Sequence, residues 1–371
     1  MIKWRRGEVI ALRREWRGAI EVEVTINGVP VRALAYPELT GRPEPGDRVL
    51  LNTGALDLGL GTGGYALVVA IPDRLPPDPK GPGHLVKARY TPMQATVLGA
   101  DEQGSAYHDL LKDADSLDGI PVVVADLHSA LPAVLAGFYA NKPAEAGPGG
   151  QPAQAPAIPV AYVMLDGGAL PAWFSRTISL LAQAGWLAGT VTVGQAFGGD
   201  LEAVTLHSGL LAARKVLGAG LVIVAQGPGN LGTGTKWGFS GVAGGEAVNA
   251  AAVLGGRPIA SLRISEADAR ARHRGISHHS LTAYGRVALA RADVVVPELP
   301  GQFGADVLEA AKPLAERHNL VPVSVAGLRE ALAACPVPLS TMGRSLEQDL
   351  AYFLSAAAAG RHAATLTDQH S

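Results

Sequence analysis

The chain predicts an α/β protein: a mainly parallel sheet with flanking helices, Rossmann-like, preceded by a small N-terminal β-barrel-like domain. Three observations carry this. From Ile120 onward, short apolar runs alternate with helical stretches, the pattern of βαβ units around a parallel sheet. The opening segment instead alternates apolar with polar residues in short runs separated by turn residues, the pattern of antiparallel strands. Between the two, Pro72, Pro76, Pro77, Pro79 and Pro82 follow one another closely, which forbids helix and central strand alike.

In chain order, Ala19 to Ile26 and Val29 to Leu34 flank Asn27-Gly28, the strongest short-range hairpin signal. Arg48 to Leu51 and Tyr65 to Ile71 supply further strands around the glycine-rich stretch Gly59 to Gly64. The expected organisation is a β domain over residues 1–75, a connecting segment over 76–119, an α/β domain over 120–300 and a mostly helical extension over 301–371. Buried strands are expected at Pro121 to Ala125, Val160 to Leu165, Thr190 to Val193, Leu221 to Ala225, Ile259 to Arg263 and Val294 to Val296. Helices are expected at Leu131 to Tyr139, Pro171 to Ala184, Glu202 to Leu217, Gly241 to Leu254 and Leu281 to Ala290. The Pro, Gly, Ala and Gln density of residues 144–159 predicts a flexible surface insertion, and the end of the chain reads as disordered.

At 371 residues the chain has room for two or three domains. Its 31 Lys and Arg against 33 Asp and Glu leave a formal charge of -2, so no whole-chain field draws nucleic acid or an anionic membrane. Neither partner is expected, and a homo-oligomer is left open. Cys335 is the only cysteine, which rules out an internal disulfide and a thiolate metal cage. Met1 to Arg6 lack the apolar stretch of a signal peptide and no run is long enough to span a membrane, so a cytoplasmic location is expected. The abundance of Ala and Gly suits helices packed closely on a sheet.

In open α/β sheets ligands bind beyond the carboxyl ends of the strands. The residues there are polar: Asp126 and His128, Asp166, Gln195 and Asp200, the run from Gln226 to Gly238, Ser265 and Glu266, and Glu298. Each alone fits a cap or turn; their shared edge favours a site. In the glycine loop, Gly227, Gly229, Asn230, Gly232, Thr233, Gly234, Thr235 and Lys236 offer backbone amides, hydroxyls and a counter-charge to a phosphate or carboxylate. Trp237 stands where a P-loop needs Ser or Thr, and the dinucleotide fingerprint spacing is absent, so no cofactor follows from the motifs.

A second stretch, Arg270 to Ser280, carries Arg272, Arg274, His278 and His279 around Gly275. Ser277 is expected to cap a helix, with the two histidines in its first turn, neutral and available as ligands or bases. Adjacent helical positions diverge by about 100°, so at most one of the pair is expected to face a given site, and the spacing matches no metal motif. Asp126 and His128 can serve as an acid/base pair or as ligands; a metal would require them together with His278 or Asp166. His207, inside an expected helix, reads as half-buried, and Cys335 as a buried small side chain.

The runs Asn52 to Tyr65 and Gly83 to Gln94, with the loop Gln226 to Gly238 and the stretch Arg272 to Ser280, resemble a bacterial family catalogued only as a domain of unknown function. The resemblance covers nearly the whole chain. It implies that Gly59 to Tyr65 and Lys87 to Gln94 belong to the functional surface, with the β domain closing over the α/β site.

Together these residues lead to the expectation of an enzyme or small-molecule binder for an anionic, phosphorylated ligand. The glycine loop and Lys236 hold it, Arg272, Arg274, His278 and His279 add counter-charge, and Asp126, His128 and His278 supply catalysis. A metal-dependent hydrolase built on Asp126, His128 and His278 is the alternative. A scaffold protein whose β domain docks a partner is a third reading, disfavoured because a scaffold has no use for so many titratable groups on one edge.

Overall fold

A computed structural model of the chain describes residues 2–60, 63–140, 158–167 and 170–367. Most of the expected insertion, and residues 368–371 of the final stretch expected to be disordered, lie outside them; the rest of that stretch, from about Gly360, is instead the end of the helix Leu350–Thr367.

The N-terminal strands β1 (Trp4–Trp16), β2 (Ala19–Ile26), β3 (Val29–Ala35), β4 (Arg48–Asn52) and β5 (Ala66–Ala70) close into a barrel in the order β1-β2-β3-β5-β4. The β2–β3 hairpin turns at Asn27 and Gly28, both at positive φ (51° and 81°), as the two-residue loop requires. Ile20, Val22, Val24, Ala33 and Leu51 fill the interior. Residues 75–84, which include four of the five prolines, have no regular structure, and a small ribbon follows, β6 (Leu85–Lys87) with β7 (Ala95–Val97).

The second layer is an eight-stranded, all-parallel sheet. Its strands are β8 (Pro121–Val124), β9 (Val160–Leu165), β10 (Gly189–Val193), β11 (Leu201–Ala203), β12 (Leu221–Gln226), β13 (Arg257–Ser261), β16 (Asp293–Glu298) and β17 (Asn319–Ser324). They lie in the order β11-β10-β9-β12-β8-β13-β16-β17. A two-residue ribbon, β14 (Ile264–Ser265) with β15 (Gly275–Ile276), stands between β13 and β16 in the chain.

Alternate residues of β8 feed opposite cores. Val122 and Val124 pack with the helices Leu206–Lys215 and Ala243–Val253, whereas Val123 packs with Leu131–Tyr139, Arg176–Gln183 and the long alanine-rich helix Leu350–Thr367. The helix after β8 therefore covers one face and the helix after neighbouring β12 the other, which opens a crevice at their carboxyl ends.

Three expectations are corrected. β17 runs through residues read as helical: Pro322 weakens its strand signal, but an edge position tolerates proline. β11, only three residues long, occupies the start of an expected helix that begins instead at Leu206. The expected helix at Leu281 to Ala290 is a short α-helix, His278–Thr282, running into a π-helical turn, Ala283–Val287. The barrel docks beside β10 and β11: Trp16 Nε1 donates to Trp173 O (2.7 Å) and Arg17 pairs with Asp200 (2.6 Å).

Candidate functional site

The crevice between β8 and β12 begins with two buried polar residues. Gln226, ending β12, donates through Nε2 to Asp126 O (2.7 Å) beyond the end of β8. Its Oε1 accepts from Ser240 Oγ (2.5 Å), and that hydroxyl also bonds Asn230 Oδ1 (2.7 Å). These bonds tie the two stems of the glycine loop together. The chain then enters a short turn, Ser240–Val242, before the helix Ala243–Val253. Gly241 passes so close to the carboxylate that a Cβ there would lie 1.8 Å from Asp126 Oδ1.

Asp126 Oδ2 accepts from Arg263 Nη1 and from His279 Nδ1, both at 3.1 Å. Burial works to raise this carboxyl, but the His279 hydrogen bond and the Arg263 charge outweigh it and hold it below the usual carboxylate range. Arg263 lies where β13 has ended, and the β14–β15 ribbon folds the chain back so that Ser277 N bonds Arg263 O (2.8 Å). That return brings the histidines to the crevice. Ser277 caps the short helix as expected, accepting from His279 N (3.2 Å).

Here the sequence reading is overturned. His278 and His279 do not diverge: they cluster with His273, one ring nitrogen from each lying within 4.8 Å of the others. The two rings stand 4.5 Å apart between centroids, and the chain, passing Gly275 at positive φ (69°), keeps His273 beside them at 5.0 Å from His278. Phe239 stacks flat on His279 at 3.8 Å, and His273 Nδ1 bonds Ser277 Oγ (2.7 Å). His278 Nε2 is enclosed and has no hydrogen-bond partner. Burial first, then the charge of Arg263, brings His273 down to about 3; burial, then neighbouring His279 and Arg272, also lowers His278.

Outside this cluster a groove of about 480 Å³ is lined by Gly234, Lys236, Arg272, His278, Thr282 and Arg286. The tip of the loop meets Arg272, whose Nη2 lies 3.8 Å from where a Cβ of Gly234 would stand. Neither Lys236, Arg272 nor Arg286 has a hydrogen bond or ion pair among the described residues. The hydroxyls of Thr233 and Thr235 bond each other (3.1 Å) and Gly238, which holds the exposed loop in shape. Gly227 is buried at the loop's foot, while Gly229 and Gly232 are exposed.

Other expected residues fall elsewhere. His128 turns to the opposite core, where Nε2 meets Ser175 Oγ (2.7 Å) and Nδ1 meets Tyr162 OH (3.1 Å), and burial lowers it to about 4. It forms no pair with Asp126, and the grouping of Asp126, His128 and His278 is not assembled. Arg274 is spent on Glu266 O (3.3 Å) and does not line the groove. Asp166 accepts from Gln195 N (3.1 Å) and Asp200 from Thr190 N (2.8 Å). His207 is exposed, not half-buried, and Glu298 is exposed. Cys335 is half-buried against Pro132.

His273, Arg263, Phe239 and Arg286 were not singled out from the sequence. A histidine five residues before a His-His pair, with a glycine turn between, is the signal that points to the first. The others are recognisable only by what they touch.

No helix among the described residues is long and apolar enough to cross a membrane. No curated protein matches the chain. The family model described as "Protein of unknown function (DUF3866)" matches residues 32–360, from within the barrel to the last helix, and the chain belongs to that family.

Proposed function

We propose that the chain binds a small phosphorylated ligand in the groove between the glycine loop and the segment 272–286. The observation that carries this reading is the convergence of Lys236, Arg272 and Arg286 on one groove with no carboxylate partner among the described residues. Elsewhere on this surface cations are commonly paired, as Arg48 is with Asp73 and Arg329 with Glu347. Three unpaired cations beside a half-buried imidazole suit a guest with several anionic oxygens, which guanidinium groups can grip two at a time.

The test is a thermal-shift screen against inorganic phosphate, pyrophosphate, nucleotides and sugar phosphates. A ligand at ~100 times its dissociation constant stabilises the fold by about 2.7 kcal/mol. Lys236→Ala and Arg272→Ala, with circular dichroism unchanged, are expected to abolish that stabilisation. Equal stabilisation of the wild type and both variants would overturn the assignment.

A further inference from the structure

We propose that His273, His278 and His279 form a three-histidine site for a divalent first-row transition ion of the zinc type. The inference is independent of the phosphorylated ligand. Its basis is the convergence of one nitrogen from each ring within 4.8 Å, together with the way the opposite sides of the rings are held.

In His279, Nδ1 faces the carboxylate of Asp126 at 3.1 Å. An ionised carboxylate only accepts, so Nδ1 carries the hydrogen and Nε2 keeps its lone pair. Arg263, which also approaches Nδ1, donates instead to Asp126. In His273, Nδ1 is engaged with Ser277 Oγ at 2.7 Å, again leaving Nε2 for an ion. Ligating histidines characteristically give their second nitrogen to a carboxylate or another acceptor, which fixes tautomer and ring direction. Phe239, stacked on His279, restrains the ring further.

His278 provides the second, independent observation. Its Nε2 is enclosed and lacks any partner, whereas nearly all buried polar atoms have one; an ion supplies it. Imidazole suits zinc, copper, iron and nickel, and zinc binds nitrogen at ~2.0–2.1 Å in tetrahedral array, so occupancy draws the three nitrogens about an ångström closer together. Three protein ligands leave a fourth position open. His278 also lines the cationic groove, so that position is within reach of a ligand lying there.

Zinc(II) titrated calorimetrically into tag-free, chelator-stripped full chain is expected to bind at one equivalent. His278→Ala, a change at a half-exposed ring, and His279→Gln should each weaken binding at least a hundredfold. His207→Ala, on the exposed start of another helix, should leave it unchanged. Cobalt(II) serves as a spectroscopic probe: the wild type should show the visible absorption of a four-coordinate site, and His278→Ala should not. Asp126→Asn, acting through His279, is expected to weaken zinc about 10- to 100-fold. Should His279→Gln fail to fold, His278→Ala decides the matter. Binding below one equivalent in the wild type, or wild-type affinity and absorption in His278→Ala, would overturn the site.

Discussion

Two groups of buried polar residues sit at carboxyl ends of the same sheet, and they differ in what they leave over. At β10 and β11, Lys87 reaches in from the β6–β7 ribbon with no exposed surface and donates to Gly194 O (2.7 Å), Ala196 O (2.9 Å) and Ala203 O (3.3 Å). Glu202, 3.4 Å from the ammonium, accepts from Thr192 Oγ1 (2.7 Å) and Gly198 N (2.6 Å). Burial lowers the lysine and raises the glutamate, each opposed by the other's charge. Every ammonium donor is used, so this group is a fastener. At β8, β12 and β13 the buried bonds instead hold three rings and leave a nitrogen of His278 without a partner, beside a groove of unpaired cations. Polar residues at strand ends mark a site where bonding capacity remains unspent.

The largest effect expected from breaking this contrast is at the fastener. Lys87→Ala strands Glu202 in the interior and should cost roughly 3–5 kcal/mol in urea unfolding, as removal of one partner from a buried pair does. Lys87→Met with Glu202→Gln should recover most of that. Unchanged stability in Lys87→Ala would show that the two groups do not differ as described.

The next effect is a pH dependence belonging to neither group. His128 is neutral in the fold and lowered to about 4 by burial, whereas in the unfolded chain it titrates near ~6.5. Between those values the unfolded chain takes up a proton that the fold refuses, so stability falls as pH falls, by up to about 3 kcal/mol over the interval. Unfolding midpoints at pH 7 and 5 should lie closer together in His128→Gln than in the wild type. An identical spread would refute the assignment.

Smallest is the cost of removing the groove's cations. Arg286→Ala and Arg272→Ala lose no folded-state partner among the described residues, and such surface changes usually stay within ~0.5 kcal/mol. A loss well above that in chemical unfolding would mean that these arginines serve the fold and would erase the contrast with Lys87.

Much of the architecture was legible because it is local. Val160 to Leu165 was placed to the residue, and so was Leu131 to Tyr139, since an apolar run long enough for one strand or one helix face needs little context. Asn27-Gly28 announced its hairpin through backbone freedom alone. β17 stayed hidden because Pro322 is compatible with a strand only where no neighbour needs its N–H, and an edge position is known only once the sheet is assembled. Asp126, Arg272, Lys236, His278 and His279 were singled out from strand-end position and charge, and the structure places them around one candidate site. His128 was not separable from Asp126 by that reasoning, because a loop can send residues two apart to opposite faces of the sheet.

The sequence by itself determined an N-terminal β barrel, a parallel sheet after Ile120 and a polar edge with a glycine loop, since periodicity and turn residues act over a few positions. Only the tertiary structure decided which polar residues became a fastener and which a candidate centre. Lys87 with Glu202, and Asp126 with His279, are pairs more than a hundred residues apart. Whether a buried charge or ring is spent or left open depends on the partner that packing delivers, and no local pattern encodes it.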